Sequence, residues 1–334
     1  MVGAKINDKA AEVSKTSNVT REIYLAGGCF WGMEKLMSSL PGVIRVTSGY
    51  ANSNKAQPSY EEVCGGATGA RETVKVEYDP QQVSLSTVLF AYFSVLDPTV
   101  ENRQGNDRGS QYQTGIYYRD ADSGKVVAQA AAAERKRWGV FKVEIKPLEN
   151  FYPAEEYHQK YLEKHPGGYC HISPRAIERV KHLKVDAGDY QRPEEAEIKA
   201  RLTPVQYEIT QNRGTEPPFK NDYNGLFLKG IYVDVVTGEP LFSSTDKFES
   251  GCGWPAFSKP IDPNVVVEQT DTSFGMRRTE VTSRIGSSHL GHVFYGEGVS
   301  PTGDRYCIDS ASLRFIPYEE MEAKGYGKYK VLVK

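Results

Sequence analysis

REIYLAGGCFWGMEKLMSSLPG, residues 21–42, decides how the first part of this chain folds. REIYLAGG reads as a short strand ended by a glycine pair. CFWGMEKLMSSLPG reads as a helix, because Phe30, Met33, Met37 and Leu40 recur at near-helical spacing and Pro41-Gly42 stops it. The junction falls on Cys29. A helix N-terminus offers unpaired N–H groups and a partial positive charge, both of which favour a thiolate over a thiol.

Outward from this junction the pattern repeats. ETVKVEYDP alternates Val74, Val76 and Tyr78 like a strand, and SLSTVLFAYFSVL is an amphipathic helix with Ser84 as its cap. QTGIYYR and FKVEIKPL read as strands around the alanine-rich helix ADSGKVVAQAAAAERKRWG, and AEEYHQKYLEKHPGG as a short helix. This alternation predicts an α+β domain over residues 21–183, a mixed sheet with packed helices. The polar residues 1–20 read as an N-terminal extension and 184–199 as a linker, part of which can be helical. Beyond it, KGIYVDVVTGEPLFSS, VVVEQTD, MRRTEVTS, HLGHVFY and YCIDSASLRFIP read as short strands between turns. Residues 200–334 are therefore expected to form a mainly antiparallel β domain of two small sheets.

The chain has 334 residues, enough for two domains, and a net charge of −2, which gives no basic field for nucleic acid or an anionic membrane. No run of about 18 apolar residues predicts a membrane span, and the N-terminus lacks an apolar signal core; the default expectation is a cytoplasmic protein. Five cysteines, Cys29, Cys64, Cys170, Cys252 and Cys307, form no CxxC pair. That argues against a zinc knuckle and a disulfide-stapled scaffold, and leaves each as a buried small hydrophobe or a reactive thiol.

Further stretches select between these readings. GCFWG, GYANSNKAQPSYEEVCGGATGARETVKVEYDP, DPTVENRQGNDRGSQYQTGIYY and EEYHQKYLEKHPGGYC together resemble methionine sulfoxide reductase A. The resemblance implies a ferredoxin-like fold, Cys29 as nucleophile and Cys170 as resolving thiol. It also implies Glu72 as general acid, Phe30 and Trp31 around the substrate methyl, and Tyr60, Asp107 and Tyr112 on the polar side of the pocket. Cys64 receives no role and is expected to be buried. GARE stands where the family more usually has GHAE.

FESGCGWPAF, SSHLGHVF, GDRYCIDSASLRF and LTPVQYEITQNRGTEPPF resemble methionine sulfoxide reductase B. Here the resemblance implies Cys307 as nucleophile, Cys252 as resolving thiol and Trp254 at the methyl. His289, His292 and Arg305 would support thiolate formation and proton delivery. Two histidines at i, i+3 on a strand are expected on opposite faces, which argues against a shared metal. Many relatives carry two CxxC pairs for structural zinc; VDVVTG around Asp234 and Thr237 and TSRIGSS around Ser283 and Gly286 lack them, so no metal and no other cofactor is expected. Asp309 replaces a usual asparagine, and a carboxylate facing the site would raise the thiol pKa.

Methionine sulfoxide is chiral at sulfur, so a fusion of the two folds would repair both epimers, free or in oxidised proteins, with a thioredoxin-like reductant as partner. The alternatives are a redox-sensing binding module and a thiol peroxidase. A nucleophile with its own resolving thiol in each half favours turnover over sensing. The aromatics favour a methylated substrate over a peroxide.

Overall fold

A computed structural model describes residues 20–334; all but the last residue of the expected N-terminal extension lie outside the described residues. The first part holds β1 (Arg21–Ala26), β2 (Val43–Ala51), β3 (Arg71–Tyr78), β4 (Gly115–Tyr118), β5 (Glu144–Pro147) and β6 (Phe151–Pro153). They form one mixed sheet in the order β5-β4-β1-β3-β2-β6, in which β4 and β5 run parallel and the other neighbours antiparallel. Helix α1 (Phe30–Ser38) packs its predicted face inward: Phe30, Met33, Met37 and Leu40 are all at most 2% exposed. Each such side chain contributes roughly 1.5–3 kcal/mol by leaving water.

Helix α2 (Tyr60–Cys64) is short and held by a capping box between Ser59 and Glu62. In α3 (Leu85–Phe93), Ser84 caps the helix as its sequence predicts. Tyr92 on α3 donates its hydroxyl proton to the Ala26 carbonyl at 2.7 Å and pins the end of β1 just before the glycine pair. Helix α4 (Ala121–Trp138) covers the sheet beside β4, and α5 (Tyr161–Lys164) is shorter than the sequence suggests.

The second part is antiparallel throughout. β7 (Gly230–Asp234), β8 (Pro240–Ser243) and a late strand, Leu313–Pro317, make a three-stranded sheet with β7 in the middle. The remaining strands are β9 (Lys247–Phe248), β10 (Ala256–Phe257), β11 (Val266–Asp271), β12 (Arg278–Ser283), β13 (His289–Phe294) and β14 (Arg305–Ile308). They form a six-stranded sheet in the order β9-β10-β14-β13-β12-β11, larger than expected. Tyr232, Phe242 and Phe257 fill the core between the sheets, with Phe242 and Phe257 stacked at 4.4 Å.

The segment read as a linker touches both parts. Asp186 accepts hydrogen bonds from the Ser84 amide (2.8 Å) and the Thr87 hydroxyl (3.0 Å) at the start of α3. One residue earlier, Val185 is buried in the second core, and its amide donates to Asp262 at 3.0 Å. Arg284 forms a fully buried ion pair with Glu239 and donates to the Val185 carbonyl at 2.7 Å. Its guanidinium lies 5.0 Å from the centre of the Phe90 ring on α3. Part of the linker stretch is helical, as its sequence allows, in α7 (Glu195–Arg201); sequence reading missed β2 and the helices α6 (Pro174–Lys181) and α8 (Pro204–Asn212). Among the described residues no helix is long and apolar enough to cross a membrane.

Candidate active sites

Cys29 is the residue immediately before α1, with φ −58° and ψ 124°. Gly28 precedes it at φ +81°, a left-handed conformation that glycine adopts without strain. A Cβ there would also stand 2.7 Å from the side chain of Gln104. The thiol is buried, and burial pushes its pKa well up, with the Glu72 charge adding to the rise; backbone N–H groups of Trp31 and Gly32 oppose them and lose. This corrects the expectation that the helix N-terminus wins. In the free site Cys29 rests as a thiol, because desolvation of a thiolate costs more than two N–H dipoles return.

Glu72 on β3 approaches from the sheet. Its carboxylate accepts the Phe30 amide proton at 3.1 Å. Burial raises its pKa to about 8 against that hydrogen bond, so it is mainly protonated at pH 7. A neutral Glu72 no longer repels a thiolate at Cys29 and has a proton to give.

Trp31 is half-buried, stacked on Tyr161 at 3.7 Å, and donates its indole proton to Nδ1 of His158 at 3.1 Å. His158 is fully buried and also packs on Phe30 and Tyr60, at 5.0 and 4.5 Å between ring centres. Glu155 accepts from the Tyr50 hydroxyl (2.7 Å) and from the Tyr60 amide (2.9 Å), which fixes the start of α2 against this cluster. Tyr60 and Tyr112 have pKa values raised first by burial and then by Glu72, so both keep their hydroxyl protons as donors. His158 and Glu155 were missed as site residues, though both lie in the stretch EEYH that the sequence reading singled out.

Cys170 is a free, half-buried thiol whose Sγ contacts the Ile172 carbonyl at 3.2 Å. It sits over the first turn of α1: a Cβ on Gly32 would lie 3.3 Å from its Sγ. The last glycine of GCFWG thus leaves room for the C-terminal loop. Cys64 is exposed, contrary to expectation, since it ends a five-residue helix that buries only Val63.

The second site lies on the six-stranded sheet. Cys307 on β14 and Cys252 in the loop before β10 bring their sulfurs to 3.2 Å. The hydrogen bond between them lowers Cys252, to about 5, and raises Cys307, so the two thiols ionise as a coupled pair. Arg305, on the same face of β14 as Cys307, lowers both thiols, but its guanidinium is engaged by Glu297 at 2.8 and 3.0 Å. Trp254 donates to the Glu216 carbonyl at 3.0 Å.

His289 and His292 share one face, which corrects the expectation of opposite faces. Glu280 pairs with His292, Val281 with Gly291, and Thr282 with His289, so Leu290 is an extra residue in a β-bulge. The bulge turns an i, i+3 spacing into two pairing steps and sets the rings 5.7 Å apart. His292 lies directly across from Cys307. Nδ1 of His289 bonds Glu280 at 2.7 Å and Nε2 of His292 bonds Asp271 at 2.9 Å. Asp309 faces the site: it accepts from the Thr215 hydroxyl (2.8 Å) and the Glu216 amide (3.1 Å), and its charge raises Cys307. A cavity of about 410 Å³ opens here, lined by Trp254, His289, His292, Cys307, Asp309 and Arg213.

The four positions singled out in VDVVTG and TSRIGSS converge around Asp234. Its buried carboxylate accepts from the Val236 amide and from the hydroxyls of Thr237, Ser283 and Ser288, all at 2.9–3.0 Å. A Cβ on Gly286 would stand 2.1 Å from its Oδ2. One saturated carboxylate with neutral hydroxyls is not a zinc donor set; hydrogen bonds tie the two loops instead.

Residues 21–187 match the family model for peptide methionine sulfoxide reductase, half of the chain, and residues 202–317 match the SelR domain. The chain belongs to the peptide methionine sulfoxide reductase family. Its two matched regions make it a reductase of both methionine sulfoxide epimers, S in the first and R in the second. Among solved structures, reduced Mxr1 from Saccharomyces cerevisiae is 35% identical, with 46% of this chain and 91% of that chain covered and a TM-score of 0.44. Methionine sulfoxide reductase A of Corynebacterium diphtheriae is 37% identical over 45% of this chain and 77% of that one, with a TM-score of 0.42.

Proposed function

We propose that residues 21–183 and 200–334 act as two separate reductase domains, and that in each a nucleophilic thiol takes the oxygen from the sulfoxide and a second thiol resolves it. In the first domain, Trp31 and the edge of Phe30 hold the methyl, and the Tyr60 and Tyr112 hydroxyls, with Asp107, orient the S=O group. Cys29 attacks sulfur while Glu72 gives its proton to the oxygen and takes up the thiol proton in its place. Methionine leaves, Cys29 becomes a sulfenic acid, and Cys170 closes the disulfide with loss of water. In the second domain Trp254 holds the methyl, Cys307 attacks, and Cys252 resolves. The histidines, held by Glu280 and Asp271, supply the proton.

The observation that carries this reading is the 3.2 Å contact between Cys252 and Cys307, residues 55 apart in sequence and set together by separate elements. A sulfenic acid on one has its partner already at hand. In the first domain the resolving thiol is the more accessible of the pair, and in the second both thiols are half-buried. An external dithiol of the thioredoxin type would therefore reach the disulfide through Cys170 or Cys252. The test offers each epimer with dithiothreitol to wild type, Cys29→Ser and Cys307→Ser. Cys29→Ser should lose only the S epimer and Cys307→Ser only the R epimer; equal consumption of either epimer by its own variant refutes the assignment.

A further inference from the structure

His171 follows the resolving thiol and is used by none of the steps above, yet it is buried against the first site. Its side chain is 5% exposed. Nε2 lies 3.0 Å from the Gly27 carbonyl. A carbonyl only accepts, so Nε2 carries the proton and the neutral ring leaves Nδ1 bare. Nδ1 and Cys170 Sγ converge on one point: a methyl group on Gly32 would stand 3.2 Å from the first and 3.3 Å from the second. On its other side Nδ1 faces Oδ2 of Asp107 at 3.9 Å. Both atoms are buried and neither has a hydrogen-bond partner among the described residues. Two facing lone pairs withdrawn from water gain most from acquiring one proton between them.

We infer that His171 is the base of the resolving step, with Asp107 stabilising the imidazolium it becomes. This rests on the reading of Cys29 and Cys170 given above. Once methionine has left, the Cys170 S–H turns from the Ile172 carbonyl, to which it donates at 3.2 Å, and passes its proton to Nδ1 of His171. The thiolate attacks the sulfur of the Cys29 sulfenic acid; the S–S bond forms and the S–O bond breaks. The departing hydroxide takes the proton back from His171 and leaves as water, so nothing external is consumed. Asp107 is the ionisable group whose charge acts on the ring, and Cys170 Sγ borders the same space over Gly32. Burial lowers the pKa of His171 and Asp107 opposes this, which keeps the ring an acceptor at neutral pH.

The test separates the two steps in one rapid-quench experiment. The reduced full chain, with the second site silenced by Cys307→Ser, is mixed with the S sulfoxide, and methionine and disulfide are counted over time. In His171→Gln and His171→Asn, methionine release should stay within about twofold while disulfide closure slows by about 100-fold at pH 7, the usual range for a lost base. The gap should narrow at higher pH as Cys170 ionises unaided. Unchanged closure, or both steps slowed in parallel, overturns the inference. Should neither variant fold, the unsubstituted first site decides: closure that falls tenfold per pH unit from pH 8 to 6.5 shows that no base assists, whereas a nearly flat profile supports His171. Methionine formed by Cys29→Ser would refute the underlying assignment instead.

Discussion

Glu72→Gln should make the first domain more stable and less active, and both effects can be sized from the site. The native carboxyl has a pKa of about 8 against an ordinary 4.5. Between those values the folded chain holds a proton that the unfolded chain has released. The unfolded state thus binds fewer protons, and stability falls as pH rises through this window. At 1.36 kcal/mol per pH unit the loss is about 3 kcal/mol by pH 7 and about 5 kcal/mol above pH 8. Glutamine titrates in neither state, and its amide oxygen can accept the Phe30 N–H as the carboxylate does. The advantage of Glu72→Gln over wild type should therefore be near zero at pH 4.5 and grow to about 3 kcal/mol at pH 7. Urea unfolding followed through Trp31, across pH 5 to 8, measures that difference with all other titrations cancelled. The same variant has no proton to give, so S-epimer turnover should drop by about 100-fold or more. In wild type the S-epimer rate should decline above pH 8 as the acid ionises. A stability difference that is flat with pH, or full S-epimer activity in the variant, refutes a protonated Glu72.

Gly32→Ala places a methyl 3.2–3.3 Å from His171 and Cys170, so the loop must give way; disulfide closure should slow by about tenfold or more, in a quench assay that shows methionine release little changed. Asp309→Asn removes a charge that raises Cys307; R-epimer kcat/KM should rise roughly 3–10-fold near neutral pH, with the gain shrinking as acid protonates Asp309, whose own pKa is raised, in a pH-rate profile. Arg284→Ala strands the buried Glu239 carboxylate and frees the Val185 carbonyl; urea titration should show a loss of about 3–5 kcal/mol in the second domain.

The strand–cysteine–helix junction was legible because it is local: the apolar period changes from two to 3.6 within a few residues of Cys29. Strand β2 was not, because Ile44 and Arg45 are exposed while the residues from Ser48 onward are buried, so no steady alternation marks it. Helix α8 carried signals that went unread: Thr203 and Gln206 form a capping box, and Pro204 takes the first helical position. Nothing local could reveal that His158, 127 residues from Trp31, orients that indole. Cys64 was misjudged by composition, since cysteines are mostly buried but this one ends a short surface helix.

The two histidines of the second site show why spacing alone fails where backbone geometry is irregular. Period two holds only while every residue pairs. Gly291, at φ +143°, lies against the Cys307 carbonyl so closely that a Cβ would be 2.1 Å from its oxygen. Any larger residue would push β13 away from β14, and with it His292 away from Cys307. The glycine that permits the bulge is therefore what places the imidazole rings beside the thiol. The first site meets the same need differently: it buries its thiol and disarms the nearest carboxylate by keeping it protonated. One half controls a single thiol through the protonation of a neighbour, the other through a second sulfur. It follows that the S-epimer reaction should lose rate near pH 8 with Glu72, while the R-epimer reaction should follow the coupled ionisation of Cys252 and Cys307.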